Sequence, residues 1–157
     1  MSIPVGFRRV LEAQDPDSRD TPKATPTVIV VYGGHLDGYL ECYSVETMSE
    51  VEAMIDDMED ADPRKDVMID MFLTCSVDLT VDDTGRIVLP AKLRDKLGLG
   101  QQSPAYCLGK GKTFQLWNLS EYEERFGPRD AVKSEPAFNP KAVFDEMRSK
   151  RKTEQGA

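Results

Sequence analysis

The sequence predicts a mainly β protein with helices, an α+β fold in which two tandem repeats interleave as a pseudo-twofold β-barrel flanked by helices. The first indication is self-similarity: residues 1–11 align without a gap on residues 87–97, with apolar residues, Pro, Arg and Leu at the same spacing. The second is a pair of short apolar runs around a glycine-containing turn in each copy, which is typical of a β-hairpin. Because neither unit can bury its apolar face alone, the two units are expected to pack together.

The first copy carries an insertion between its two halves. The beginnings of the copies match at an offset of 86, whereas Tyr43 matches Trp117 at an offset of 74, which leaves 12 extra residues in the first copy. These fall within residues 13–26, a stretch rich in Asp, Ser, Pro, Thr and Lys. That composition predicts a surface loop rather than core.

The repeats divide the chain into four predicted segments. Residues 1–60 form the first repeat, with the insertion and an acidic helix, and residues 61–74 form a connecting helix. Residues 75–127 form the second repeat. Residues 128–157 are polar and punctuated by proline, so we expect a mobile tail.

In the first repeat, residues 27–32 and 38–43 are predicted strands on either side of a turn that holds the single histidine, His35. A lone histidine in a turn is usually solvated, so we assign it no catalytic role. Ser44 or Thr47 can cap the next helix. Its apolar residues recur at helical spacing among acids, which predicts an amphipathic helix with an inner face of Met48, Val51, Ile55 and Met58.

A second helix is predicted to open at Pro63, because proline is tolerated in the first helical turn. Residues 77–81 alternate in polarity as a half-buried strand, which runs into a turn at residues 82–86. Pro90 then starts a short helix that Gly98 ends, at a position where a left-handed backbone is usual.

The second hairpin is predicted from residues 105–108 and 114–117. Asn118 or Ser120 can cap the closing helix, which stops at Gly127.

The tip of this hairpin, residues 109–113, looks like the end of an ATP-binding phosphate loop. That motif requires a glycine five residues before Gly111, where this chain has Tyr106, and a strand follows here instead of a helix. A single histidine and the lack of a paired-carboxylate pattern leave little for acid–base or metal chemistry. We therefore expect no enzyme, no cofactor, no metal and no small-molecule substrate.

Length and composition favour a soluble protein of a reducing cytoplasm. A chain of 157 residues with 39% hydrophobic content can bury a core. Its longest apolar run, residues 28–32, is far shorter than the roughly 20 residues that span a bilayer, so no membrane partner is expected. Cys42, Cys75 and Cys107 form no CxxC pair, and their odd number argues against a disulfide framework. They are expected to be small buried hydrophobes.

The formal charge of −8 is confined to one segment. Residues 44–70 hold ten acids against Arg64 and Lys65, so this segment accounts for the whole imbalance and the rest of the chain sums to zero. The remaining surface can therefore carry a basic patch, and local potential decides binding to a polyanion more than the total charge does.

Residues 82–94 carry the most specific pattern, Asp-x-x-Gly-Arg-apolar-x-apolar-Pro-x-x-Leu-Arg. With it the chain resembles the AbrB/SpoVT-type DNA-binding family. Two such units in tandem, each followed by a hairpin, an aromatic residue and a capped helix, resemble the MraZ transcriptional regulators more closely than the single-copy AbrB or MazE types. The resemblance covers residues 1 to about 126. It implies the swapped-hairpin form of the barrel.

The chemistry of this pattern suits nucleic acid. Asp82 can accept hydrogen bonds from the N–H groups of the turn, and Gly85 can adopt the positive φ that the reversal requires. Arg86 then leaves the turn as a permanently charged fork suited to phosphates or guanine edges. The predicted DNA-binding residues are Arg86, Arg94, Arg8, Arg9, Lys92 and Lys96.

Two alternatives are open for the arginines. Arg86 could pair with Asp82 and serve only the fold, and Arg94 could be a solvated helix residue.

The resemblance implies a ring-forming homo-oligomer that binds double-stranded DNA at repeated sites upstream of the division and cell-wall gene cluster. The expected location is the bacterial cytoplasm, on the nucleoid. The alternative is an antitoxin-like protein whose main partner is another protein, an interpretation that the acidic helix of residues 44–60 favours.

The first copy lacks the Asp-x-x-Gly-Arg turn, because Met1 aligns with the residue that follows Arg86. Either the native start lies roughly fifteen residues upstream and Met1 is an internal methionine of the strand, or this protein has lost half of its recognition surface. The resemblance otherwise runs from residue 1. We expect the first explanation.

Overall fold

The structure, a computed structural model, describes residues 1–21, 25–101 and 103–156. The chain divides into two compact units, Met1–Gly127 and Pro128–Ala157. Part of the predicted insertion, residues 22–24, lies outside the described residues.

The first unit is built on one antiparallel sheet. Within the described residues its strands are β1 (Thr27–Val31), β2 (Tyr39–Tyr43), β3 (Ser76–Thr80), β4 (Ala105–Lys110) and β5 (Thr113–Asn118). They lie in the order β3-β1-β2-β5-β4. The predicted α+β class is confirmed. The sheet itself is open, with β3 and β4 at its edges, so the predicted closure into a barrel is not seen in this sheet.

The helices of the described residues are α1 (Val5–Ala13), α2 (Pro16–Arg19), α3 (Val45–Asp56), α4 (Pro63–Ile69), α5 (Ala91–Leu97), α6 (Leu119–Phe126) and α7 (Pro140–Gln155). A π-helical turn, Asp70–Thr74, continues α4. The side chain of Ser44 caps α3 and that of Asn118 caps α6, which decides between the alternatives left by the sequence. Gly98 ends α5 with φ 63°, as predicted.

Residues that the internal alignment equates face each other in two places. In the central pairing of β2 with β5, Glu41 lies opposite Gln115, and these residues correspond at the offset of 74. At the start of the chain, the Met1 ammonium donates to the Ile87 carbonyl (2.9 Å) and Ile87 N–H donates to the Met1 carbonyl (2.8 Å). These two residues correspond at the offset of 86. The two copies therefore pair symmetrically at both places.

The main core lies on one face of the sheet. Alternate residues of the strands point to the same face, and here they are buried together with residues from α1 and α5 and with Ile3, Ile87 and Leu89. The sheet residues of this cluster are Val28, Val30, Leu40, Cys42, Phe114 and Leu116. The apolar contact among them supplies most of the burial that stabilises the unit.

The opposite face is covered by α3, the π-helical turn and α6. Val31, Leu36 and Tyr43 pack with Met48 of α3 and with residues of the π-helical turn. Farther along this face, the Trp117 ring contacts Tyr122 and Phe126 of α6 at 5.6 Å between ring centroids. The sheet thus separates α1 and α5 from α3.

The first residues of the insertion, residues 13–19, are more ordered than the predicted surface loop. Asp15, just after α1, is buried and its carboxylate accepts hydrogen bonds from Asp17 N–H (3.0 Å) and Thr27 N–H (2.8 Å). Its neighbour Gln14 accepts from the Ser44 hydroxyl (2.6 Å) at the cap of α3. The insertion is therefore anchored at its first residues by non-local bonds that composition does not reveal.

The second unit holds α7, which the sequence analysis did not predict. Asn139 caps it, its side chain accepting from Lys141 N–H (3.0 Å), and Pro140 stands in its first turn. The residues of α7 are exposed throughout, including Phe144. The polar composition that predicted a mobile tail here coexists with a regular helix, whose exposed ion pairs, such as Arg148 with Asp145, are local.

Two of the three cysteines are protected thiols. Burial raises the pKa of Cys42 well above its ordinary value. Burial also raises the pKa of Cys107 to about 11. Both are therefore neutral at physiological pH, as expected for small hydrophobes. Among the described residues, none of the helices is long and apolar enough to cross a bilayer.

The burial of the core predicts that two truncations of apolar side chains change the free energy of unfolding by different amounts. Leu116 is 0% exposed in the main core, so Leu116→Ala should lower the free energy of unfolding by about 2–5 kcal/mol. Val88 is 87% exposed, so Val88→Ala should change it by less than about 0.5 kcal/mol. Urea denaturation followed by circular dichroism measures both. Equal losses for the two variants would contradict the assignment of the core.

Candidate nucleic-acid interface

The turn at residues 82–86 is held by one carboxylate. Asp82 Oδ1 accepts hydrogen bonds from Thr84 N–H (2.9 Å), from the Thr84 hydroxyl (2.7 Å) and from Arg86 N–H (2.9 Å). The backbone closes the same turn, because Asp82 N–H donates to the Arg86 carbonyl (2.8 Å). These bonds favour the charged form and lower the pKa of Asp82, the Arg86 N–H contributing most. The base of Arg86 is therefore rigid.

Gly85 is required in this turn for two reasons. Its φ is +78°, a conformation that residues with a Cβ rarely adopt. A Cβ at this position would also overlap the Arg8 side chain, with Cδ and Cζ at 2.5 Å and Nη1 in contact as well. The glycine thus allows a residue of the first repeat to lie directly on the turn of the second.

The exposed side chain of Arg86 projects from this turn. Its backbone N–H binds Asp82, but within residues 1–21, 25–101 and 103–156 its guanidinium forms no ion pair with that carboxylate or any other. The alternative in which Arg86 pairs with Asp82 is not the arrangement in this structure. An unpaired guanidinium on a turn held by hydrogen bonds can bind an oxygen anion or a base edge.

The start of the chain supports the same turn. Ile3 N–H donates to the Gly85 carbonyl (2.8 Å), and Ser2 and Arg86 form an isolated antiparallel bridge. Pro4 then leads into α1, which carries Arg8 and Arg9. The first repeat therefore places Arg8 and Arg9 beside the turn of the second repeat.

An open groove of about 790 Å³ lies between α1, the insertion and the turn. Arg8, Arg9 and Arg19 line it, together with Glu12, Asp82 and Asp83. Sequence reasoning did not find Arg19, which belongs to the insertion. Nothing in its local sequence sets it apart, because its position beside α1 depends on how the insertion folds back.

The three residues of α5 that were predicted to bind DNA lie in different surroundings. Arg94 is exposed and lines a second groove, of about 530 Å³, beside Met1 and Val88. Lys92 Nζ donates to the Tyr32 hydroxyl (2.9 Å) and lies 4.3 Å from the centroid of that ring. Lys92 is therefore held at the loop that follows β1.

The ammonium group of Lys96 is bound within the protein. Its Nζ donates to the carbonyls of Tyr32 (2.8 Å) and Gly33 (3.1 Å). Burial lowers the pKa of this lysine. These bonds tie α5 to the loop after β1, so an anion would have to compete with two carbonyls for the ammonium.

The acidic segment of residues 44–70 and the helices α1 and α5 pack on opposite faces of the sheet. The acids of residues 44–70 lie on α3, on α4, at the start of the π-helical turn and in the connection between α3 and α4. Residues of α3 and of the π-helical turn pack on the face opposite the main core. α1 and α5 pack on the main core instead. The net charge of −8 therefore does not describe the surface near Arg86.

The lowered pKa of Asp82 predicts how the turn responds to acid. Since the folded-state pKa lies below the ordinary value of 3.8, the carboxylate's contribution is complete above pH 3.8 and is lost as the pH falls through the folded-state value. The amide resonances of Thr84 and Arg86 should therefore titrate with a midpoint below pH 3.8 in NMR spectra. Asp82→Asn should abolish this titration. A midpoint at or above 3.8 in the unchanged protein would contradict the hydrogen-bonded turn.

The known proteins that this chain resembles all belong to one family. Residues 72–137 match the family model described as "MraZ protein, putative antitoxin-like". A protein of a Ruegeria species called "Transcriptional regulator MraZ" is 44% identical over 124 residues, which cover 79% of this chain and 72% of the relative. Its counterpart in Ruegeria pomeroyi is 42% identical over the same shares.

A relative from Cereibacter sphaeroides with the same name is 30% identical over 151 residues, covering 93% of this chain and 88% of its own length. This name is that of a transcriptional regulator. The match extends through both repeats of the internal alignment and beyond the turn at residues 82–86. By these similarities the chain belongs to the MraZ family of transcriptional regulators.

Proposed function

We propose that this transcriptional regulator binds double-stranded DNA sequence-specifically, with Arg86 as its principal contact. The observation that carries the proposal is the exposed, unpaired guanidinium on a turn fixed by Asp82 and Gly85. A rigid base limits the entropy that an arginine loses on binding. Bidentate contact with a guanine edge or a phosphate would then follow from the planar geometry of the guanidinium.

Further contacts are proposed for Arg8, Arg9 and Arg94. Arg8 and Arg9 line the groove beside the turn, and Arg94 lies in the second groove. Lys92 and Lys96 are less suited, because their ammonium groups are already bound at Tyr32. The separation of the acidic helices from this surface supports binding of a polyanion.

We propose the four-segment organisation and the interleaved, swapped-hairpin barrel for the complete assembly. The symmetric pairing of Glu41 with Gln115, and of Met1 with Ile87, supports two repeats related by a pseudo-twofold axis. The two hydrogen bonds between Met1 and Ile87 and the bridge between Ser2 and Arg86 would complete the barrel alongside the open sheet.

The proposed assembly is a homo-oligomer, in ring form, on repeated operator sites of its own division and cell-wall gene cluster. Each protomer offers only a few arginines, so its individual affinity for DNA would be modest. Linking several protomers raises the effective concentration of each contact and converts modest affinity into tight binding. This function needs no cofactor, and it places the protein in the cytoplasm on the nucleoid.

Replacing Arg86 tests the proposal. Arg86→Ala should weaken binding to the DNA upstream of its gene by about tenfold to a hundredfold, the range expected when one bidentate base contact is lost. It should also reduce the salt dependence while leaving the oligomeric state unchanged. Fluorescence anisotropy across a salt series and light scattering measure these effects.

Arg64→Ala is the matched control. Arg64 is an exposed arginine on the acidic α4, where it pairs with Asp62 at 2.7 Å. Its loss should leave DNA binding unchanged. Unaltered binding by Arg86→Ala, or an equal loss in both variants, would refute the assignment of the interface, and unfolding of Arg86→Ala would make that arginine structural.

A second candidate is an antitoxin-like protein that mainly holds another protein. The observation in its favour is apolar exposure on the acidic helices, with Met54 64% and Val67 56% exposed. A basic partner with an apolar contact surface would fit them. Co-purification of a stoichiometric basic protein, lost in the variant Met54→Asp, would support this candidate, and purification without such a partner would count against it.

A further inference from the structure

Helix α7 carries an apolar stripe that is open to solvent. The stripe consists of Val143, Phe144 and Met147, all of them exposed, with Phe144 at 61%. At about 100° per residue these three positions fall on one side of the helix. In proteins most of the stability of a helix comes from packing of its apolar face, so the exposed stripe indicates a partner that covers it.

The same helix carries positive charge at both ends of the stripe. Two of its cations are paired with acids of the helix itself, at 2.8 and 2.9 Å. Three others form no ion pair within the part of the chain that the structure describes: Lys141, Arg151 and Lys152. Arg151 lies one turn beyond Met147, on the side of the stripe. The partner of α7 should therefore be both apolar and acidic.

A groove of about 390 Å³ on the first unit has both properties. It lies between α2, the first turns of α3 and the strands β1 and β3, and we call it the acidic groove. Ile29, Val45 and Met48 supply apolar surface, and its carboxylates are those of Asp15, Asp17, Glu52 and Asp78.

Three of these carboxylates are available to a partner. Asp15 is buried and already accepts hydrogen bonds from two backbone N–H groups. Asp17, Glu52 and Asp78 are exposed and form no ion pair among the described residues. None of the described residues that line the groove is a lysine, an arginine or a histidine. Its negative charge is therefore uncompensated, and it complements the charge of α7.

We propose that α7 of one copy of this chain docks in the acidic groove of a second copy. The apolar stripe would cover Ile29 and Met48, while the unpaired cations of α7 would reach the exposed carboxylates of the groove. The stripe and the groove are each open in this structure, which is why the contact is assigned to two copies. If other contacts already hold the copies together, a high effective concentration makes a modest affinity sufficient.

Duplex DNA fits α7 less well than the acidic groove does. Phosphates would match the unpaired cations but would leave the apolar stripe in water. The groove offers apolar surface and carboxylates together, as the core and rim of a protein interface do. The contact is separate from the proposed DNA interface and does not depend on it.

Carbodiimide coupling tests the contact in the full chain, because this reagent joins a lysine to a carboxylate that it touches. Protein labelled with ¹⁵N and unlabelled protein are mixed in urea and refolded together, so that copies exchange, and are then coupled without DNA. Mass spectrometry of the digest should find linked peptides that combine a labelled with an unlabelled copy. The expected links join the unpaired lysines of α7 to the exposed acids of the groove, Lys141 or Lys152 with Asp17, Glu52 or Asp78.

A substitution in the stripe should weaken the contact. Phe144→Gln removes the largest apolar side chain but keeps a good helix former, so the helix content measured by circular dichroism should not change. The yield of the expected links should fall about tenfold, as for the loss of one apolar anchor of an interface. Val132→Gln is the matched control, because Val132 is 97% exposed in the same unit but lies outside α7. Its yield should equal that of the unchanged protein.

Four results would overturn the proposal. Links confined to peptides of one label would place both partners in a single chain, and links between two α7 helices would identify a helix pair instead. An unchanged yield for Phe144→Gln would show that the stripe takes no part. Absence of the links would exclude the contact, and protection of Lys141 and Lys152 from acetylation by added duplex DNA would then assign α7 to DNA.

Discussion

The antiparallel pairing of β2 with β5 is the constraint on which the other features depend. It joins the hairpin of the first copy to the hairpin of the second, with Glu41 opposite Gln115. The two hairpins therefore form one sheet, and each face of that sheet carries apolar side chains from both copies. Side chains alternate between the faces, and both faces therefore need cover. α1 and α5 cover one, and α3 and α6 cover the other. Without this pairing neither copy could bury its own apolar surface.

The same two-sided construction accounts for the charge distribution. The acidic segment has its apolar stripe on the face opposite the main core, while the arginine-bearing helices pack on that core. Charges on opposite sides of a low-dielectric layer act on different regions of solvent, and at physiological salt exposed charges farther apart than about 8 Å are largely screened. The acidic segment therefore lies away from the arginines of α1 and α5, and the groove beside the turn balances Arg8, Arg9 and Arg19 against Glu12, Asp82 and Asp83.

The repeats depend on each other at the turn as well as in the core. The turn of the second repeat supplies its own hydrogen bonds through Asp82, but residues 1–3 and Arg8 of the first repeat support it from outside. The site is thus a property of the duplicated chain. A single copy would keep the local turn and lose the groove in which Arg8, Arg9 and Arg19 meet.

The sequence alone determined what depends on neighbouring residues: the hairpins, the capped α3, the glycine-ended α5 and the turn at residues 82–86, because capping, periodicity and glycine placement are local. Only the tertiary structure decided which charges are free. Lys96 matches the basic pattern as well as Arg94 does, yet two carbonyls from a distant loop bind its ammonium. Arg8 reaches the turn, and Arg19 the groove beside it, through chain reversals that no local pattern encodes, since the contacts join residues far apart in the chain.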